Sequence, residues 1–536
     1  MKIRKEPEQI WKEYESGISY KSGIDLFTNV KRNNNFYNDK QWIGVKAPDL
    51  SKPVFNILKP AVNYYVSMLV SDDIGVSIDK LDDTGDTEAD RIESILSNEI
   101  EKILEKTKMS YKTRQALKSC AIDGDACIYA YWDADYSEGE DWEGRIETEV
   151  IDNTNIIFGN ERSSDVRSQP YIIIVQQRLT DEVKEEAEAN GLNAEEITED
   201  DAAEFYEIND ADYTDSKYTT VLIKMWKEDG TVKAVKATKN AVVKEEWSLD
   251  ISLYPLAWMS WESVKNSYHG VSPITGKIEN QIFINKIYAM SMEYQKQFAF
   301  PKVLYDATKI AKYSNKVGEA IAVNGNPQEA IFANHVNSSM NQQAVQLVDS
   351  TIQKTKDSLG VFDAALGNVK PDNTSAIVAV QRAASQPLDL QKLDYYQMVE
   401  DIVRIMVEYM SVYYGTREVK QTVTIPDAMT GEYVSGTVIA PFDFAELAGT
   451  QHKVKVEIGG SSYWSELTQV QTLDNLMDRQ IIPNAILYLE SIPDGYIKNK
   501  AKLIEEIKKF EAEQKQQQQM EQMQPQMPME QPPMMM

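Results

Sequence analysis

Residues 270 to 300 read "GVSPITGKIENQIFINKIYAMSMEYQKQFAF", and this stretch divides the chain into a strand-rich half and a helix-rich half. Ser272 is a good N-cap, and Pro273 comes next at the first helical position, where a missing N–H costs nothing. Ile274, Ile278, Ile282, Ile287 and Met290 recur at roughly helical spacing, which predicts one buried face. A helix over 273–299 would be about 40 Å long at about 1.5 Å per residue. Pro301 ends it. The short runs "KVLY", "EAIAV" and "EAIFA" then read as strands, with "NGNP" as the turn between the last two. A second helix, "SMNQQAVQLVDSTIQKTKDSLG", runs back. Two helices are thus joined by a β-containing connection of about forty residues, far longer than an ordinary helix–helix link.

Further along, residues 361–374 read as a loop, and Asn373, Thr374 and Ser375 can each cap the helix after it. A very long helix is expected over 375–415. Pro387 lies inside it and removes a backbone donor, so a kink is expected near Ser385. The second half of that helix is apolar on several sides, which predicts deep burial. Residues 416–460 return to strand patterns, and helices resume to about residue 512. The last stretch, 513–536, is rich in Gln, Met and Pro, and its composition cannot repay the entropy of ordering.

Before the division the chain is mixed. Helical spacing opens it, with Ile10, Trp11, Ile24, Phe27 and Val30. "NNNFYNDKQWIG" (residues 33–44) sets the aromatic pair Phe36 and Tyr37 beside an Asn-Asp turn, the pattern of a loop pinned by buried rings. Ala61 to Val70 reads as a buried helix, and 88–118 as one long amphipathic helix. "DGDACIYAYWD" (residues 123–133) passes from a helix end through Gly124 into a strand. Strands dominate 145–180 and 218–260, with a hairpin at Asp229-Gly230. Between them, residues 181–212 hold fourteen acidic side chains and one Lys, a solvated insertion. The fold class expected is α+β.

The chain of 536 residues has 56 Lys and Arg against 84 Asp and Glu, a formal charge of −28. That disfavours a protein that reads DNA sequence, which would carry a basic footprint. It suits one that nucleic acid slides past, because like charges repel. The two cysteines, Cys120 and Cys127, imply no disulfide framework. No signal peptide and no membrane span is expected.

Motifs that carry chemistry are missing. His269, His335 and His452 are far apart and stand in no triad or metal signature. Neither a phosphate-binding GxxxxGK[ST] nor a GxGxxG after a strand occurs. "DADYSEGEDWEG" (133–144) starts like a calcium loop, then has Glu138 where Gly is required and Gly144 where Glu is required. No catalytic residue, cofactor site or metal site is therefore assigned.

In order and spacing, four segments resemble the portal proteins of tailed bacteriophages. "FYNDKQW" is similar to an aromatic and Gln-Trp signature near the start of such chains, with Asn38 or Asp39 where many carry Gly. "DGDACIYAYWD" resembles the segment that opens the wing sheet. "YHGVSPITGKIENQIFINK" resembles the opening of the first stem helix. "NTSAIVAVQRAASQPLDL" resembles a tunnel loop and kinked tunnel helix, with Ala376 where the family often has Gly. The resemblance implies a mixed α/β wing (1–271, returning at 416–460) and a two-helix stem (272–300 and 339–360) around a β-containing clip (301–338). It further implies a tunnel loop (361–374), a long kinked tunnel helix (375–415), a helical crown (461–512) and a disordered tail (513–536).

It also implies a closed ring, usually a dodecamer, at one capsid vertex of the virion, assembled in the host cytoplasm. Double-stranded DNA would pass through it without sequence recognition. Its partners would be the terminase large subunit, the major capsid and scaffolding proteins and, later, the head–tail adaptor. Asn368, Val369, Lys370, Asp372 and Asn373 would line the channel as the tunnel loop, with Lys370 as the candidate phosphate contact and Pro387 as the candidate hinge. Two other readings stay open: another phage head or tail structural protein, and an acidic metal-dependent hydrolase.

Overall fold

The computed structural model describes residues 5–48, 50–70, 74–80, 87–137, 144–200, 217–299, 303–314, 320–333, 342–361, 386–426, 433–447 and 452–458, together with short pieces between 470 and 507. The chain divides into two compact units, Met1–Val70 with Val76–Val456, and Ser71–Gly75 with Glu457–Met536. In the second, short helical pieces are described, in which Leu489 and Ile492 are buried. The expected crown and tail otherwise lie outside the described residues.

The first unit is α+β. Its elements are α1 (Pro7–Gly23), α2 (Leu26–Tyr37), α3 (Leu58–Leu69), β1 (Ile74–Lys80), α4 (Thr87–Lys106), α5 (Met109–Asp123), β2 (Asp125–Asp133), β3 (Arg145–Ile151), β4 (Ile156–Phe158), β5 (Ile172–Leu179), α6 (Thr180–Ala189), β6 (Tyr218–Glu228), β7 (Thr231–Ala237), β8 (Val242–Ser248) and β9 (Leu256–Ser260). After these come α7 (Ile278–Ala299), β10 (Val303–Tyr305), β11 (Ile331–Ala333), α8 (Gln342–Ser358), α9 (Asp389–Tyr413), β12 (Thr416–Pro426), β13 (Tyr433–Asp443) and β14 (His452–Ile458); the first two residues of β1 and the last two of β14 fall in the second unit.

Two antiparallel sheets form the body. One has the order β3-β2-β9 and the other β4-β5-β6-β7-β8. The hairpin between β6 and β7 turns on Asp229 and Gly230, both at positive φ, the geometry that matches strand twist. The five-stranded sheet is covered on both faces, so its strands read as continuous apolar runs. On one face Ile10, Tyr14 and Ile18 of α1 pack on Ile157, Ile173, Leu222 and Trp226. Gly17 permits that approach, because a Cβ there would lie 2.4 Å from Ile157 Cγ2. On the other face Val183 and Ala187 of α6 pack on Val221 and Val243. Helix α9 lies across the three-stranded sheet, and its buried residues, from Tyr395 through Val399, Ile402 and Met406 to Met410, keep helical spacing.

Several boundaries differ from the sequence reading. The long helix expected over 88–118 is broken: Lys108 sits at φ +53, which ends α4 and starts α5. "EAIAV" forms no strand at its described residues 320–323, and the connecting ribbon is β10 paired with β11 alone. The buried face of α7 is Ile278, Gln281, Ile284, Asn285 and Ala289, whereas Met290 is exposed. The apolar pattern placed the face one position round, because two of its buried members are polar.

Candidate functional site

Distant parts of the sequence meet at the base of α7. Gly124 closes α5 in the left-handed region at φ +100 and turns the chain into β2. A Cβ there would come within 2.9 Å of Gly270 O, so the two glycines let strand and helix approach closely. The next residue, Asp125, is buried, and its carboxylate gathers four donors. They are His269 Nδ1 at 2.8 Å, Gly270 N at 2.7 Å, Ser260 Oγ at 2.8 Å and Asn153 Nδ2 at 3.3 Å. Lys21 of α1 is equally buried and donates to the carbonyls of Asn153 and Thr154 at 3.1 and 2.8 Å. Burial holds its ammonium well below the usual lysine range, against the pull of Asp125.

His269 is enclosed by the rings of Tyr268, Trp258 and Tyr20. Burial lowers its pKa from 6.5, and the bond to Asp125 opposes this. The neutral ring donates through Nδ1. Its Nε2 has no hydrogen-bond partner and is shut off from solvent. An Asp–His pair walled in this way holds a fixed geometry but has no access to a substrate.

The first turn beyond is held in the same manner. Ser272 Oγ donates to Ala121 O at 2.7 Å and accepts from Ile274 N, but it caps no helix: the 3-10 turn Thr275–Lys277 stands where the sequence reading started the helix at Pro273, and α7 begins at Ile278. Asn33 of α2 donates to Ile122 O and to Thr275 Oγ1. One turn on, Gln281 accepts from Ile57 N at 2.9 Å and donates to Phe55 O at 2.7 Å. Asn285 donates to Gln41 Oε1 at 2.6 Å, and Gln41 donates in turn to Phe36 O. The "NNNFYNDKQWIG" segment is therefore the collar of α7. Phe36 and Tyr37 are buried at the end of α2, and Trp42 donates to Pro53 O. Asp39 has φ +65, a conformation that glycine adopts freely and that Asp tolerates. Its carboxylate is held below the usual range by Asn56, then by Lys59.

Three of the four segments singled out in the sequence thus converge on one helix. The fourth is described only from Gln386. Asn368, Val369, Lys370, Asp372 and Asn373 lie outside the described residues. Pro387 lies in the 3-10 turn Gln386–Leu388, followed by α9 from Asp389; the kink expected near Ser385 lies outside the described residues. This turn rests on the end of α8, where a Cβ on Gly360 would be 3.2 Å from Pro387 Cβ. Tyr65 of α3 donates to Leu359 O beside it.

Beyond its base α7 becomes an arm. Asn280, near its start, donates to Thr355, near the end of α8, so the two helices run antiparallel. The β10–β11 ribbon lies between them in the chain. Met290, Leu304 and Leu347 on this arm are more than half exposed, and so are Leu390 and Leu393 in the first turns of α9.

Among the described residues no group of three or more His, Cys, Asp and Glu could hold a metal ion, and no helix is long and apolar enough to cross a membrane. Sequence reasoning missed Asp125, Gln281 and Asn285, and it noted Gln41 only as part of a signature. The available signal was a Gln and an Asn four residues apart inside an apolar helix. No protein-family model matches the chain, and no curated protein matches its sequence.

Proposed function

We propose that this chain is the subunit of a portal-like ring that threads double-stranded DNA through a capsid vertex. The observation that carries the reading is the arm: two antiparallel helices linked by a β-ribbon, anchored in an α+β body, with large apolar side chains facing outward. Such surface is costly in water and marks a site of association. Exposed apolar side chains on α7, on α8 and on α9 suit head-to-tail contacts, which close into rings.

In this reading the body is the wing, α7 and α8 are the stem, and the ribbon is the clip that meets terminase during packaging and the tail adaptor afterwards. Scaffolding and major capsid proteins surround the assembled ring. The charge of −28 per chain supports a channel that holds DNA loosely. Lys370 is assigned the salt-dependent phosphate contact. Replacing it by Ala should weaken DNA retention at low salt more than at high salt; equal retention at both would remove that role.

Negative-stain imaging and native mass measurement test the whole reading. A closed ring is expected on symmetry grounds, with about a dozen copies as the resemblance to portal proteins implies. A chain that stays single under every assembly condition overturns it.

A further inference from the structure

We propose that the wing carries a binding site for a linear oligoamine, a cation with several ammonium groups on an alkyl stem, in the cleft between its two sheets. The cleft has a volume of about 1450 Å³. Asp123 at the end of α5, Glu149 of β3 and Asp152 just beyond it line one wall. Among the described residues none of the three forms an ion pair. Asn153, on the same wall, is only 2% exposed. Its amide orientation is fixed, because Nδ2 donates to Asp123 O at 3.1 Å and Asp125 Oδ2 at 3.3 Å. That leaves Oδ1 as a buried acceptor with no donor. This wall therefore offers acceptors and negative charge, and asks for N–H donors with positive charge.

Aromatic rings line the cleft beside these acceptors. Tyr129 and Tyr131 stack at 5.4 Å, and Trp132 stacks on Tyr413 at 5.1 Å. Such faces take alkyl stems and ammonium groups together. The lysines and arginine that line the cleft do not neutralise the acidic wall. Arg178 and Lys236 are both paired with Glu186, Lys244 lies 4.5 Å over the Trp247 ring, and Lys31 is exposed on α2. A bare divalent metal is the poorer fit, since the described acids are not grouped as a ligand set.

Burial raises all three carboxyls above their ordinary range, with Asp152 adding to the effect on Asp123 and Lys112 opposing it on Glu149. Amine binding should therefore tighten from pH 6 to pH 8, as Asp123, whose carboxyl is pushed up to about 8, ionises. Titration calorimetry of the full-length protein with spermidine tests the site. One spermidine per chain is expected. The double variant Glu149→Gln/Asp152→Asn should bind at least about tenfold more weakly, by analogy with the loss of charge-assisted hydrogen bonds. Both residues face cleft water, so the variant should fold normally, and Glu195→Gln, outside the cleft, should bind as the unaltered protein does. Unchanged affinity in the double variant, or displacement of spermidine by Mg²⁺ at matched ionic strength, would overturn the proposal. The site lies within one chain, so binding by a protein that never forms rings would uphold it while rejecting the ring.

Discussion

Helix α7 carries two regions of opposite character. At its base, Gln281 and Asn285 are polar yet buried, and each finds its partners in the collar that runs from Phe36 to Ile57. Farther out, Met290 and Met292 are apolar yet exposed. An ordinary surface helix shows the reverse. Buried amides contribute little net energy, but they tolerate one geometry only, because an unmatched donor or acceptor costs about 1–3 kcal/mol. Exposed methionines do the opposite: they specify no geometry within the chain and leave surface for another molecule. The base fixes the direction of the arm, and in the proposed ring the arm meets a neighbour.

The most severe challenge to this contrast is to charge the arm. Met290→Asp or Leu393→Asp should abolish ring assembly in sedimentation or imaging, since burying an unpaired carboxylate at an interface is prohibitive. The monomer's unfolding midpoint should hardly move, because both side chains are exposed. A large loss of monomer stability would show that these faces serve the chain's own core.

The base should respond in the reverse manner. Asp125→Ala strips partners from His269, Gly270 N, Ser260 and Asn153, and leaves Lys21 buried beside no carboxylate. Breaking such a buried cluster costs about 3–5 kcal/mol, readable by denaturant unfolding. If the loss were below about 1 kcal/mol, the size of an ordinary surface pair, the cluster would not be what anchors α7.

The smallest effect is one of pH and belongs to the body alone. His269 has its pKa lowered by burial, so the unfolded chain takes up the proton first, and stability falls as the pH drops below about 6.5. Asp123 is pushed the other way, from 3.8 to about 8, by burial and then by Asp152. The folded state keeps that proton longer than the unfolded chain, so its contribution is present at low pH and is lost as the pH rises toward 8. Asp123→Asn keeps an oxygen for the bond from Asn34 and should flatten the alkaline side of a melting-temperature profile. An unchanged profile between pH 6 and pH 8 would show that Asp123 titrates normally.

Much of the fold was legible in the residues, and the errors share a cause. The β6–β7 hairpin was readable from Asp229-Gly230, and the turn into β2 from Gly124, because positive φ restricts which residues can stand there. The break at Lys108 had no such signal, since a lysine in that conformation is held by its surroundings. The face of α7 was misplaced because apolar periodicity cannot see a buried Gln or Asn whose partners lie 224 to 244 residues away in sequence. The candidate site suffered most. His269 was noticed as isolated, and nothing local to it points to Asp125 or Lys21.

By itself the sequence determined the alternation of a mixed body with a helical arm, the acidic balance and the positions of the tight turns. Each of these depends on neighbours close along the chain: hydrophobic period, formal charge and backbone freedom. Only the tertiary structure decided that three separated segments lock one helix, that its polar residues turn inward, and that carboxylates and aromatic rings share a cleft. Those outcomes depend on which groups meet across hundreds of residues, and packing alone selects them.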